Sequence, residues 1–220
     1  MSTEPAQLLE ALQYKAPFLS EKLLKDQIVA SAAEADELCT ELVRYLVLGR
    51  MYPDKLWYMV SSLVDEAWHQ FVLFSERYHA FCMRYFGQYI HHAPGMSPDA
   101  SSVSVSSSFE DFSAHYARHF GAPPSRVWDD TSWVALTRRV VINTSFLPVS
   151  LERDESTGMI TVLSRFGALV RVSELAREAL EFIWRTRAFY VRELPGELTD
   201  DEKVGVATIL VGRGALLLGP

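Results

Sequence analysis

Apolar residues recur at helical spacing along the first half of the chain. The clearest pattern predicts a helix that Gly49 and Pro53 end, and its apolar face consists of Leu38, Leu42, Tyr45 and Leu46. We also expect a short helix over 20–31, a long helix over 62–86 that closes at Gly87, and a helix over 109–120 between Ser108 and Gly121. The serine-rich segment 101–108 has little to bury and reads as a loop.

From Val149 onward the period of the pattern changes from helical to two. Strands are predicted over 149–153, 159–165 and 169–172, and residues 154–158 form the first turn. Three further elements follow: a helix that Ser173 caps, a short helix or turn over 190–198, and a final helix that Thr199 caps. Three antiparallel strands followed by helices are typical of a winged-helix-like unit.

The predicted fold class is therefore α+β, with helices in front and a small winged-helix-like domain behind. We expect a helical domain at 1–125, a connector at 126–147 and a winged-helix-like peptide-recognition domain at 148–220. Over the connector, apolar and polar residues do not alternate regularly enough to predict strands.

Composition narrows the classes of protein that fit this order. A chain of 220 residues with 49% hydrophobic residues is not mainly disordered, and a net charge of −7 speaks against nucleic-acid binding. Two cysteines exclude a disulfide framework. The longest apolar run, 204–219, contains Arg213 and is shorter than the roughly 20 residues of a membrane span. Because the first residues also lack a signal-peptide core, a cytoplasmic location is expected.

Six histidines raise the hypothesis of a metal site. Glu66–His69 and Glu76–His79 each have Glu-x-x-His spacing, but both pairs lie on one predicted helix about 15 Å apart, which does not suit a shared dinuclear site. A looser set of histidine and cysteine residues could also bind zinc, but its spacing matches no pattern typical of a four-ligand structural zinc site. The chain is assigned no metal ligand, and the second hypothesis is a metalloprotein that uses His69, His79, Cys82, His91 and His92.

A structural role is the leading interpretation of the Trp-His segment. Asp65 lies one turn before His69 and can hydrogen-bond it, and Trp68 on an amphipathic helix needs a partner for its indole N–H when buried. The predicted structural or interface residues are Asp65, Trp68, His69, His91 and His92. Because no nucleophile elbow or phosphate loop is present, no catalytic residue is assigned.

Peptide capture suits the second domain better than DNA binding, because acidic residues outnumber basic ones in it. An extended peptide would add to an edge strand, and the predicted edge consists of Leu169, Val170, Arg171 and Val172. The residues that could line the adjoining groove are Leu175, Val204, Thr208 and Val211. The alternative for each of them is a place in the core, and a winged-helix regulator is a third hypothesis.

Two groups of motifs carry a family resemblance. The first runs through Val64-Asp-Glu-Ala-Trp-His-Gln-Phe-Val72, Tyr78-His-Ala-Phe-Cys82, Tyr85-Phe-Gly87 and His92-Ala-Pro94, and it resembles small bacterial proteins that share a Trp-His segment. The second, from Met159-Ile-Thr-Val to Gly212-Arg-Gly-Ala-Leu216, looks like the recognition elements of ribosomal-peptide biosynthesis, of which the pyrroloquinoline-quinone chaperone is the prototype. Together they resemble the accessory subunit of methanobactin-type synthases.

That resemblance implies a non-catalytic partner of an enzyme. The family's accessory subunit binds the leader of a precursor peptide and forms a heterodimer with an iron-dependent barrel oxidase, which makes oxazolone and thioamide groups. It implies no cofactor in this chain, iron in the partner, and no nucleic-acid or membrane partner. The docking-edge role carries over to Leu169, Val170, Arg171 and Val172.

Overall fold

The computed structural model describes residues 5–57, 59–92 and 106–219. It shows the mixed α+β class that the sequence predicts, with helices first and most strands later. The chain divides into two compact units, Met1–Trp128 and Asp129–Pro220.

The first unit is mainly helical. Its described helices and strands are α1 Pro5–Ala11, α2 Pro17–Lys25, α3 Ala32–Met51, β1 Leu56–Trp57, α4 Ser62–Leu73, α5 Ser75–Phe86, β2 Ser106–Ser107 and α6 Phe109–Phe120. β1 and β2 pair in parallel. A short 3-10 turn, Arg126–Trp128, ends the unit. Residues 101–105 of the predicted loop lie outside the described residues.

Local signals account for several of these helices. The prediction of α3 is confirmed, and the Ser31 hydroxyl caps its first turn by accepting from the Glu34 N–H. Ser108 caps α6 in the same way, and Gly121 ends it with a φ of +74°, the left-handed conformation that glycine adopts most easily.

Two predicted helices have different bounds in the structure. The predicted helix over 20–31 begins earlier, at Pro17, and ends at Lys25. The long helix over 62–86 is two helices, because Phe74 leaves helical geometry with a φ of −83° and a ψ of 58°. The Phe74 ring packs on Phe18 at 4.9 Å between centroids, a contact with the first turn of α2 that no local pattern indicates.

The second unit combines two small sheets with two helices. Its described elements are β3 Arg139–Ile142, β4 Val149–Asp154, β5 Met159–Ser164, β6 Gly167–Ser173, α7 Arg177–Arg185, β7 Ala188–Tyr190, α8 Asp200–Gly212 and β8 Leu216–Leu218. Both sheets are antiparallel, in the orders β4-β5-β6 and β7-β3-β8.

The β4-β5-β6 meander lies where the sequence predicts three strands. Gly158 closes the first turn with a φ of +63°, and Asp154 accepts from the N–H and hydroxyl of Ser156. The start of α8 is also confirmed, since Thr199 and Glu202 form a reciprocal capping box.

The second sheet is absent from the predictions. The segment 126–147, expected to be a connector, contains the central strand β3 of that sheet, and the short element expected over 190–198 follows strand β7. β8 follows α8 and pairs with β3. Gly219 permits this pairing, because a Cβ there would lie 2.9 Å from the Val141 side chain.

Within the described part of the chain, no helix combines the length and the apolar character needed to cross a membrane.

Candidate functional site

One turn of α4 and the segment after α5 bring together a carboxylate and two imidazoles. We call Asp65, His69 and His92 the Asp65 cluster. The Asp65 Oδ1 atom lies 2.9 Å from His92 Nε2, and its Oδ2 atom lies 3.6 Å from His69 Nδ1. The two imidazole rings are 4.3 Å apart between centroids. One ligand atom of each residue lies within 4.8 Å of the other two.

The cluster is partly open to solvent. The side chains of His69, Asp65 and His92 are 50%, 33% and 12% exposed. Glu66 adds a second carboxylate near its rim, with Oε2 3.8 Å from His69 Nδ1. Asp65 also lies in the first turn of α4, where the positive end of the helix favours an anion.

The His92 ring packs against Trp68, and a hydrogen bond holds Trp68 in turn. The Trp68 ring meets the His92 ring edge to face at 4.3 Å, and its buried indole N–H donates to the Tyr78 hydroxyl at 2.9 Å. Tyr78 in turn donates to the carbonyl of Ile90 at 2.7 Å, two residues before His92. Burial raises the pKa of Tyr78, so the hydroxyl keeps its proton as a donor. The expectation that the indole has a partner is confirmed.

The sequence predicted a different combination of partners. The Asp65 carboxylate makes its closest contact with His92, 27 residues away, rather than with His69, whose side chain is half exposed. His79 and His91 are exposed and lie near the Tyr89 ring instead. Among the described residues, the Asp65 cluster is the single group with metal-ligand geometry, and it excludes Cys82.

Cys82 is a core residue. It is fully buried, and burial raises the pKa of its thiol despite hydrogen bonds from the backbone at Ile90 and from Tyr78. A thiol held in the protonated form is a poor metal ligand.

Trp68 also lines a cavity of about 300 Å³. Tyr45, Trp57 and Ile90 are among its walls, and the Tyr45 hydroxyl donates to the Trp57 carbonyl at 2.7 Å. Burial, together with the nearby Asp65 carboxylate, raises the pKa of Tyr45 to about 12. Trp68 is thus shared by the cavity wall and the Asp65 cluster.

A second carboxylate, missed from the sequence, is enclosed by the first unit. Glu41 is 2% exposed and accepts hydrogen bonds from Arg44 at 2.7 Å, from the Tyr116 hydroxyl at 2.8 Å and from the Trp128 indole at 2.7 Å. We call these four residues the Glu41 cluster. A signal was present, since Glu41 shares the apolar face of α3 with Leu38 and Tyr45. A buried charge on that face requires partners.

In the second unit, the predicted docking strand lies at a sheet edge. β6 pairs with β5 on one side, and the order β4-β5-β6 leaves its other side open within the sheet. α8 lies next to β6. β6 has one charged residue in seven, Arg171, whereas the opposite edge strand β4 has three charged residues in six.

The predicted peptide-contact residues differ in accessibility. Leu175 is 54% exposed and Arg171 is exposed, whereas Leu169 and Val211 are buried and fill the core of the unit. The partly exposed residues are Val170, Val172, Val204 and Thr208.

Comparison with known proteins adds one finding on the first unit. Residues 4–109, just under half of the 220-residue chain, match the model of a family described as UCP032817-like. The matched range includes the whole Asp65 cluster, and the description names no activity. No curated protein matches the chain.

Proposed function

We propose that the second unit binds an extended peptide, which adds as a fourth strand to the open edge of β6. The observation that carries this proposal is the place of β6 at the end of the β4-β5-β6 sheet. An edge strand presents unpaired backbone N–H and C=O groups, which bind an extended chain through main-chain hydrogen bonds.

The two edge strands differ in their number of charged residues, and this difference favours β6 as the peptide-binding edge. Charged side chains protect sheet edges from pairing, and β4 ends in Glu152, Arg153 and Asp154. β6 carries little such protection. Leu175 follows it with an exposed side chain, and Phe166 before it is 66% exposed. These apolar groups are suited to side chains of a bound peptide.

The winged-helix-like assignment belongs to the same proposal. The β4-β5-β6 meander followed by α7 and α8 has the element order of such a unit, although the β7-β3-β8 sheet is an addition to it. In this interpretation the peptide is the leader of a ribosomally made precursor. The protein is then a cytoplasmic, non-catalytic accessory subunit that presents the precursor to an iron-dependent barrel oxidase of the methanobactin type.

The sheet offers a matched pair of variants for the test. Val170 on β6 and Leu151 on β4 both lie directly opposite the buried Val162, so their side chains share one face at opposite edges. Both are half-buried, so aspartate should disturb folding to a similar extent in each.

The measurement is a fluorescence titration of the full chain with a labelled synthetic peptide that has the leader sequence of a methanobactin-type precursor. We expect Val170→Asp to weaken binding at least about tenfold, or about 1.4 kcal/mol, and Leu151→Asp to leave it nearly unchanged. Absence of binding to the wild-type chain would refute the proposal. An equal loss in both variants would refute the choice of β6.

A further inference from the structure

We propose that Asp65, His69 and His92 bind one divalent transition-metal ion of the Zn²⁺ type. This site lies in the first unit and does not depend on peptide binding by the second.

The spacing of the ligand atoms fits a single ion. A tetrahedral Zn²⁺ ion lies about 2.0–2.1 Å from nitrogen and oxygen ligands, which places the ligand atoms about 3.3 Å from one another. Asp65 Oδ1 lies 2.9 Å from His92 Nε2 and Asp65 Oδ2 lies 3.6 Å from His69 Nδ1, so each imidazole has a carboxylate oxygen at about that distance. The three ligand atoms need only small side-chain rotations to surround an ion, because all lie within 4.8 Å.

The donor set selects the class of ion. Two imidazoles and one carboxylate suit Zn²⁺, Fe²⁺ and similar ions, whereas Mg²⁺ and Ca²⁺ prefer oxygen ligands throughout. Three protein ligands also leave at least one coordination position for water or another molecule. Such a site is typical of metal ions that act on a ligand rather than ions that only stabilise a fold.

The surroundings of His92 hold its ring in place without closing the site. Trp68 packs against that ring, and Tyr78 binds the backbone just before it through the Ile90 carbonyl. Outer contacts of this kind orient ligands in metal sites. The exposed His69 side leaves a route by which an ion enters.

A purely structural role would give a different arrangement. The Glu41 cluster shows how this protein encloses a carboxylate that only stabilises the fold, with 2% exposure and three donor residues around it. The Asp65 carboxylate is one-third exposed and faces two nitrogen ligands that gain a common partner when an ion binds.

The test is isothermal titration of the untagged, chelator-treated full chain with ZnCl₂. We expect one ion per chain and a loss of affinity in Asp65→Asn, His69→Ala and His92→Ala. Each loss should equal or exceed the roughly 10–100-fold that removal of an outer hydrogen bond costs a metal site. His91→Ala and His79→Ala are matched controls, because each removes an exposed imidazole that is not part of the cluster, and both should bind as the wild type does.

Thermal unfolding with and without ZnCl₂ is a second measurement. It compares each protein with itself, so a variant of lower starting stability can still be tested. An ion that binds only the folded chain raises the unfolding temperature, and the three ligand variants should lose this rise while the controls keep it. Absence of stoichiometric Zn²⁺ in the wild type would overturn the proposal. So would unchanged binding in all three ligand variants, or an equal loss in His91→Ala.

Discussion

The first unit contains two carboxylates with very different surroundings. Glu41 is enclosed by a guanidinium, a hydroxyl and an indole, and it is almost inaccessible to solvent. Asp65 lies one-third exposed beside two imidazoles. Glu41 holds α3, α6 and the turn at Trp128 together, whereas Asp65 stays accessible from solvent, as our metal-site proposal requires.

The largest expected effect is the difference in stability between variants that lack one or the other carboxylate. We expect Glu41→Ala to lower the free energy of unfolding by about 3–5 kcal/mol, because the buried Tyr116 and Trp128 donors lose their acceptor. Asp65→Ala in the metal-free protein should cost no more than about 1 kcal/mol, as is usual for exposed pairs. Urea denaturation measures both values, and Glu41→Gln, which keeps one acceptor oxygen, should fall between them. Similar losses for Glu41→Ala and Asp65→Ala would contradict the division.

A smaller effect is expected from Tyr78, which links the core to the Asp65 cluster. Tyr78→Phe leaves the Trp68 indole without its acceptor and the Ile90 carbonyl without its donor, so it should lower the free energy of unfolding by about 1–3 kcal/mol. It should also weaken Zn²⁺ binding less than His92→Ala does, since it displaces a ligand and does not remove one. Tyr89→Phe is the control, because Tyr89 contacts Tyr78 through its ring. Unchanged stability in Tyr78→Phe would show that these hydrogen bonds do not hold the segment.

The smallest effect concerns a partly exposed carboxylate, Asp154 at the end of β4. Hydrogen bonds from Ser156 and Thr157, together with the Arg171 guanidinium, lower the pKa of Asp154 to about 2. Because the folded pKa lies below the unfolded value of about 3.9, the stabilisation is complete above that value and is lost as the pH falls from about 4 through about 2.

The measurement for Asp154 compares urea midpoints of the wild type and Asp154→Asn at about pH 6 and about pH 3. At about pH 6 the wild type should be slightly more stable than Asp154→Asn. This difference in stability should be smaller at about pH 3. A difference that stays constant would mean that Asp154 titrates normally.

Sequence patterns predicted the elements in which the donor and acceptor of each hydrogen bond lie only a few residues apart in the chain. α6 and α8 carry their own caps at Ser108 and Thr199, and the turn at 154–158 contains the acceptor Asp154 and the left-handed Gly158. Two of the three residues of the candidate metal site are local in the same sense, since Asp65 and His69 lie one turn apart on α4.

The misses share one physical cause, which is contact between distant parts of the chain. The break at Phe74 carries no glycine or proline and coincides with packing against Phe18. β3, β7 and β8 are three or four residues long and gain their backbone partners only from one another. The burial of Glu41 depends on Tyr116 and Trp128, which belong to later elements.

The sequence by itself therefore determined the α+β class, most helices of the first unit and the β4-β5-β6 meander, because periodicity and capping act over one or two turns. Only the tertiary structure decided that β3, β7 and β8 form a second sheet, that Glu41 is enclosed and that His92 contacts Asp65. Each of these depends on which distant residue fills the space beside it, and short-range patterns do not encode that choice.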